Sequence, residues 1–287
     1  MKLKVVYIAG LYHTGSTLLD MLLGSLPDVI GLGEIFKCFH DKFEKNCSCG
    51  KTVEECEFWG SFAKNNSQKL NIQNEYEKVI EKFEDLYGKN SILVDSSKCH
   101  PFKFFASAND RKMQGLDHLI NIDDIDLKVI HIVRDVRSWS NSLLMRDAKE
   151  KNKNTIFANS FRLLFRSSFA RFVQWYWGHK KIINFINKNN LNHIKISYED
   201  LAINPKKTLL DITRFLGLEY SDSMLKPSNT SSHIAVGNPM RFRESDIENI
   251  RYDYRWMSSN KLSFPSFILY PVMRLNRKLI YSKNLEK

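Results

Sequence analysis

Residues Gly10 to Thr17, Gly-Leu-Tyr-His-Thr-Gly-Ser-Thr, follow the apolar run Val5-Val6-Tyr7-Ile8-Ala9 and precede the helix-compatible Leu18-Leu19-Asp20-Met21-Leu22-Leu23. A buried strand, a glycine-rich turn and a helix start in that order have the spacing of a phosphate-binding P-loop. Such a turn aims several unpaired N–H groups and the positive end of the helix dipole at one spot. Thr14, Ser16 and Thr17 add hydroxyl donors. An ordinary strand-turn-helix corner uses the same residue types, because glycine and Ser/Thr caps favour it. Ser16 stands where nucleoside triphosphatases carry the Lys that reaches the β/γ-phosphates. Its loss argues against ATP or GTP hydrolysis and leaves the anion cradle intact.

A second anion site supports the first. Residues 127–133 read as a buried strand, Arg134 sits at its C-terminal end, and 135–149 are compatible with a helix. Ligands of open α/β sheets bind outside that end of the strands. Arg134 offers a bidentate fork, and Ser142, eight residues on, a hydroxyl about two helical turns along. Two strand ends with anion-binding groups suit a ligand whose phosphates are separated.

The rest of the chain alternates in the same way. Strands are expected over 3–9, 92–95 and 194–197, and helices over 16–25, 75–86 and 205–216, the last with Pro205 at its start and Gly217 after its end. Residues 157–186 have helical spacing and carry Phe161, Phe165, Phe169, Phe172, Trp175 and Tyr176, a stripe that reads as core before it reads as a substrate wall. The polar stretch 65–74 reads as a loop. Alternating strands and helices imply a mainly parallel sheet. At 287 residues one large α/β domain over 1–287 is expected, with a Cys-containing insert at about 36–60 and a C-terminal helical extension at about 258–287.

Charge and cysteine usage bound the partners. The 43 Lys and Arg against 32 Asp and Glu give a net charge of +11. Such a balance usually suggests nucleic acid. Here the excess is dispersed and no nucleic-acid-binding pattern accompanies it, so no nucleic-acid partner is expected; a multiply charged anionic nucleotide suits it better. Lys2 and Lys4 precede an apolar run that is too short for a secretory signal, and no stretch approaches the ~20 apolar residues of a membrane span, so a cytoplasmic location is expected. The segment 264–283, where Phe267 to Tyr270 interleave with Arg274, Arg277, Lys278 and Lys283, either touches a membrane surface or docks as a last helix on the core, the second being preferred. Cys38 and Cys99 stand alone, while Cys47, Cys49 and Cys56 cluster. With His40 they make four candidate zinc ligands, although C-x-C-x₆-C is not a usual zinc spacing; free thiols in a compact insert are the alternative, and a disulfide is disfavoured in a reducing compartment.

Several of these segments also carry a resemblance. Gly10 to Leu19 resembles the 5′-phosphosulfate loop of the sulfotransferases that use 3′-phosphoadenosine 5′-phosphosulfate (PAPS), and Arg134 to Ser142 resembles their 3′-phosphate motif. Pro27 to Glu34, Asp95-Ser-Ser-Lys98, Ile196 to Pro205 and Gly237-Asn-Pro-Met-Arg241-Phe resemble further segments of the bacterial and tyrosylprotein members, in the family's order, from about residue 3 to 256. The resemblance implies a P-loop-like sulfotransferase fold, a central mainly parallel sheet flanked by helices. It implies PAPS as co-substrate, 3′-phosphoadenosine 5′-phosphate (PAP) as product, and an acceptor hydroxyl on a small molecule, glycan, lipid, peptide or natural product. It assigns Glu34 as general base, Lys98 as the cation on the transferring sulfuryl, and Tyr12, His13, Thr14, Gly15, Ser16, Thr17 and Leu18 as the 5′-phosphosulfate cradle. Arg134 and Ser142 would hold the 3′-phosphate, Tyr198 would help place the nucleotide, and Arg241 would close the C-terminal loop. No metal is required by that arrangement. The departure is His13, where the family has Lys or Arg: a neutral imidazole lacks the cation. Taken singly, Glu34 also reads as a helix N-terminal charge, Lys98 as a surface ion-pair partner and Tyr198 as strand-end core. A P-loop kinase or nucleotidase and a non-catalytic nucleotide-binding module remain as rival readings.

Overall fold

The structure is a computed structural model that describes residues 2–40, 43–64, 71–99, 113–151, 168–243, 250–258 and 269–281. Five strands, β1 (Leu3–Ala9), β2 (Val29–Gly31), β3 (Ile92–Asp95), β4 (Ile125–Val133) and β5 (His193–Ser197), form one sheet in the order β2-β3-β1-β4-β5, every pairing parallel. Val5 of β1 lies between Leu93 and Leu127 of its neighbours, which fixes the register at the centre. The helices are α1 (Ser16–Leu23), α2 (Ile35–His40), α3 (Gly60–Lys64), α4 (Ile72–Tyr87), α5 (Leu116–Leu119), α6 (Val136–Lys151), α7 (Ser168–Lys188), α8 (Tyr198–Ile203), α9 (Pro205–Leu216) and α10 (Tyr270–Asn276), the last running into a π-helical turn Arg277–Tyr281.

A parallel sheet covered on both faces must be apolar on both, and β1 is: Val5, Tyr7 and Ala9 enter one core, Val6 and Ile8 the other. The first core takes α4, α6 and α7 through Val79, Phe83, Trp139 and Trp175. The second takes α1 and α9 through Leu19, Leu22, Leu209 and Ile212. The expected α/β class and parallel sheet are therefore present.

Local boundaries moved for identifiable reasons. The Asn71 side chain accepts the Gln73 N–H at 3.1 Å and starts α4 at Ile72, so 72–74 are helical rather than loop, and 65–70 lie outside the described residues. α1 stops at Leu23, two residues earlier than its apolar run suggested, because Gly24 caps it. In the aromatic segment α7 is described from Ser168; Phe161 and Phe165 lie outside, Phe172 and Trp175 are core, and Phe169 is 46% exposed. At the C-terminus Leu269, Val272, Leu279 and Ile280 are buried in the first core, so α10 docks. Phe267 and Ile268 lie outside the described residues, as does Lys283. Among the described residues no helix is long and apolar enough to cross a membrane.

Candidate functional site

Each strand hands its next residues to the same edge of the sheet. β1 leads into Gly10–Thr17, β2 into Glu34, β3 into Lys98, β4 into Arg134 and β5 into Tyr198. This is the carboxyl edge where parallel sheets bind ligands.

The loop after β1 is built around Gly15, which has a φ of +94° and caps α1. A Cβ there would lie 2.9 Å from the Tyr198 ring, so only glycine fits both the backbone and the space. His13 also has positive φ, +64°, which turns its carbonyl toward Arg134. Thr14 is drawn inward, its hydroxyl donating to the Leu11 carbonyl at 2.7 Å. The Trp139 indole N–H donates to the Tyr12 carbonyl at 2.5 Å and ties the loop to α6. Thr17 Oγ1 accepts from the Asn238 N–H at 3.3 Å, and Leu18 packs into the second core. The Ser16 hydroxyl is buried at the start of α1 with no partner among the described residues. Leaving such a group unpaired costs about 1–3 kcal/mol, which an anion acceptor at the helix start would recover.

Glu34 and Lys98, 64 residues apart, meet in a buried ion pair with Lys98 Nζ 2.5 Å from Glu34 Oε1. The Glu34 N–H donates to the Val236 carbonyl at 3.0 Å, and the Cys99 N–H to the Gly10 carbonyl at 2.9 Å, so the pair is fastened beside the loop between β1 and α1. Asp95 and Asp20 stiffen this corner. Asp95 accepts from the Ser97 N–H at 2.7 Å and from the Tyr76 hydroxyl at 2.9 Å; Asp20 accepts from the Ser96 hydroxyl at 2.6 Å. Burial pushes Asp20 up to about 7 and Asp95 up to about 6, with those hydrogen bonds pulling the other way. Asp20 packs so tightly under β2 that a Cβ at Gly31 would fall 1.7 Å from its Oδ1.

Arg134 is buried and fully engaged. Its Nε donates to the Ser138 hydroxyl at 2.9 Å, Nη1 to the His13 carbonyl at 3.0 Å and Nη2 to Asp253 at 2.7 Å, while the guanidinium lies 4.5 Å from the centre of the Tyr198 ring. Burial raises Asp253, but hydrogen bonds from Arg255 and the nearby Arg134 charge outweigh it and bring the carboxyl to about 2. The structure thus places Arg134, His13 and Tyr198 together. Ser142 joins them through His13: its hydroxyl and the imidazole Nδ1 share a hydrogen bond of 2.9 Å. Burial, with the charges of Arg146, Lys98 and Arg134, lowers His13 to about 4, so the ring is neutral at pH 7. The cationic character here comes from Lys98 and Arg134, and the imidazolium that a Lys/Arg substitute would need is absent in this arrangement.

Arg241 is buried. It pairs with Glu44 at 2.7 Å and donates to the Asn238 carbonyl at 3.1 Å, closing the segment that covers Thr17 rather than reaching into the loop. Sequence reasoning missed Asp253, Ser138 and Asn238: Asp253 belongs to no motif and meets Arg134 from 119 residues away, while Ser138 and Asn238 lie inside motif segments whose spacing does not say which of their residues makes the contact. His40 does not join the cysteines; it stacks on Phe36 at 5.3 Å, and His233 takes the place foreseen for it.

The profile of the sulfotransferase family matches residues 6–222. A Caenorhabditis elegans protein named "Putative protein-tyrosine sulfotransferase" is 28% identical over 122 residues, 42% of this chain and 43% of its own length, so the match spans less than half of that relative. Among solved structures, the sulfotransferase domain of the Synechococcus PCC 7002 olefin synthase superposes with a TM-score of 0.60 at 16% identity, covering 99% of this chain and 97% of that one. The sulfotransferase domain of the curacin biosynthetic pathway gives 0.59 at 17%, covering 98% of each. These two likenesses establish the fold.

Proposed function

The chain belongs to the sulfotransferase family, and from that premise we propose that it transfers a sulfuryl group from PAPS to an acceptor hydroxyl and releases PAP. The observation that carries this reading is the buried Glu34–Lys98 pair fastened beside a loop whose Ser16 hydroxyl has no partner among the described residues. A module that only binds nucleotide has no use for a buried carboxylate and ammonium at that place. Ser16 in the Lys position of the loop speaks against a kinase or nucleotidase.

The reading fits the donors present. The α1 amides, Ser16 and Thr17 would hold the 5′-phosphosulfate, with Tyr12, His13, Thr14, Gly15 and Leu18 shaping the loop. Arg134 would hold the 3′-phosphate by exchanging Asp253 for it, with Ser142 steadying His13. Tyr198 would hold the Arg134 plane, and Arg241 the covering segment. PAPS supplies the electrophilic sulfur and, as the S–O bond breaks, a phosphate leaving group. Glu34 takes the acceptor proton as the new O–S bond forms, which is the contribution a positioned carboxylate makes to general-base catalysis. Lys98, released from Glu34, faces the sulfuryl oxygens and stabilises their charge. His13 contributes a hydrogen bond at the leaving oxygen.

The test is transfer from PAPS to a panel of hydroxyl acceptors, read by mass spectrometry, for wild type and Glu34→Gln. The amide keeps the shape and removes the basicity, so PAP affinity should stay within a few-fold while transfer falls about 10²–10⁴-fold. Near wild-type transfer by Glu34→Gln would remove Glu34 as the base; concurrent loss of PAP binding would make it structural.

A further inference from the structure

Cys47, Cys49, Cys56 and His233, none of which serves the proposed reaction, bring their ligand atoms within 4.8 Å of one another. Cys56 Sγ lies 3.7 Å from Cys47 Sγ and 3.3 Å from His233 Nδ1. A tetrahedral zinc with Zn–S near 2.3 Å and Zn–N near 2.0 Å has S···S edges of about 3.8 Å and S···N edges of about 3.5 Å. A disulfide would need sulfurs at about 2.05 Å. The spacing is that of a ligand set.

The backbone around the four is built to present them. Asn46 and Thr52 pair antiparallel, the Cys47 N–H donates to the Lys51 carbonyl at 2.9 Å, and the Gly50 N–H returns to the Cys47 carbonyl at 3.1 Å. That tight turn, made with Gly50 at a φ of +87°, brings Cys47 and Cys49 together. The Trp59 N–H points at Cys56 Sγ at 3.5 Å, a contact suited to a thiolate. His233 is held through its backbone, its N–H donating to the Gly31 carbonyl at 2.7 Å and its carbonyl accepting from the Trp59 indole at 2.5 Å. Burial in an apolar cluster would explain Cys47 and Cys56, but Cys49 is exposed and His233 only partly buried, so packing does not account for their convergence.

We propose that Cys47, Cys49, Cys56 and His233 bind one zinc ion as a closed, structural site that pins the insert to the segment covering the phosphate loop. Three thiols lose their protons to solvent as the ion binds, and no redox step is involved. Four protein ligands leave no open position, so the ion has no catalytic water. Its effect on the site runs along the chain: Val236, three residues past His233, accepts the Glu34 N–H, and Asn238 donates to Thr17. The site stands independently of the PAPS reading, because its readout is the metal.

The full chain, expressed with zinc in the medium and passed over a desalting column, should carry about one zinc per chain by elemental analysis. Cobalt exchange should give thiolate-to-metal charge-transfer bands and the visible bands of a tetrahedral ion. Cys49→Ser, at an exposed position, should bind zinc at least tenfold more weakly while keeping its circular dichroism. Chelator should lower the melting temperature of the wild type, and zinc should restore it. Wild-type protein that takes up no stoichiometric zinc or cobalt, with its thiols all titratable or with Cys47 and Cys56 joined as a disulfide, would overturn the site. Equal zinc content in wild type and Cys49→Ser would remove Cys49 from it.

Discussion

In the proposed reaction the state of His13 decides what kind of leaving-group contact the loop offers. The ring is buried among Arg146, Lys98 and Arg134, which keeps it neutral down to about pH 4. A neutral hydrogen-bond donor is replaceable by another, so His13→Gln should retain most of the transfer rate and leave the pH profile between 6 and 8 unchanged. An acid-favoured limb in that range that vanishes in His13→Gln would mean that imidazolium does the work. Lys98 is a different case. Removing it leaves the Glu34 carboxylate buried without its partner, a loss of about 3–5 kcal/mol in such pairs. Lys98→Ala should therefore melt markedly lower than wild type, whereas Lys98→Ala with Glu34→Gln together should recover much of the difference; an unchanged melting temperature in the single variant would show that the pair is solvated.

Among the elements, the turn between β1 and α1 and the strap over 250–258 shape the proposed anion sites. Gly15→Ala combines a positive φ with a methyl 2.9 Å from the Tyr198 ring, so it should abolish PAP binding and lower stability by about 1–2 kcal/mol for the backbone alone. A variant that binds PAP normally would mean the loop has another conformation. In the strap, Asp253 occupies Nη2 of Arg134. Asp253→Asn removes a carboxylate that a 3′-phosphate must displace and should tighten PAP binding about tenfold, the lower end of one charge-assisted hydrogen bond; weaker binding would make Asp253 a supporting residue instead. The elements that the sequence reveals are those with long apolar periodicity or end signals: β1 and α9 lie where the pattern puts them, the latter between Pro205 and Gly217. β2 has three residues and no pattern of its own, and is a strand only because β3 pairs with it. Glu34, Lys98 and Arg134 are legible because each follows a strand end within a motif. The roles of Asp253 and His233 are not, since both depend on contacts brought about by the folded chain.

For the whole molecule, buried titratable groups of opposite behaviour surround the carboxyl edge of the sheet. Burial raises Asp20 and Glu199 to about 7 and Asp95 to about 6, and lowers His13 to about 4 and His131 to about 3. The raised acids stay protonated in the native chain after the unfolded chain has lost their protons, so each makes stability fall as pH rises from about 4 to its own value. The lowered histidines stay neutral while the unfolded chain protonates below about 6.5, so they make stability rise with pH across 4 to 6.5. Asp20→Asn removes one falling slope. Its stability relative to wild type should rise from pH 4 to 7 by up to about 1.4 kcal/mol per unit, read by denaturant titration at each pH; a pH-independent difference would mean that Asp20 is ionised throughout. The sheet order puts the loops proposed to hold the two phosphates after adjacent strands, β1 and β4, and on the proposed reading a nucleotide with two separated phosphate groups is distinguished there from one with a single group. Calorimetric titration of the chain with PAP and with AMP, for wild type and Arg134→Ala, measures that distinction directly. PAP should bind wild type about 10- to 100-fold more tightly than AMP, the worth of a charge-assisted hydrogen bond to the 3′-phosphate, and Arg134→Ala should bring the two together. Equal affinity of wild type for AMP and PAP would contradict it.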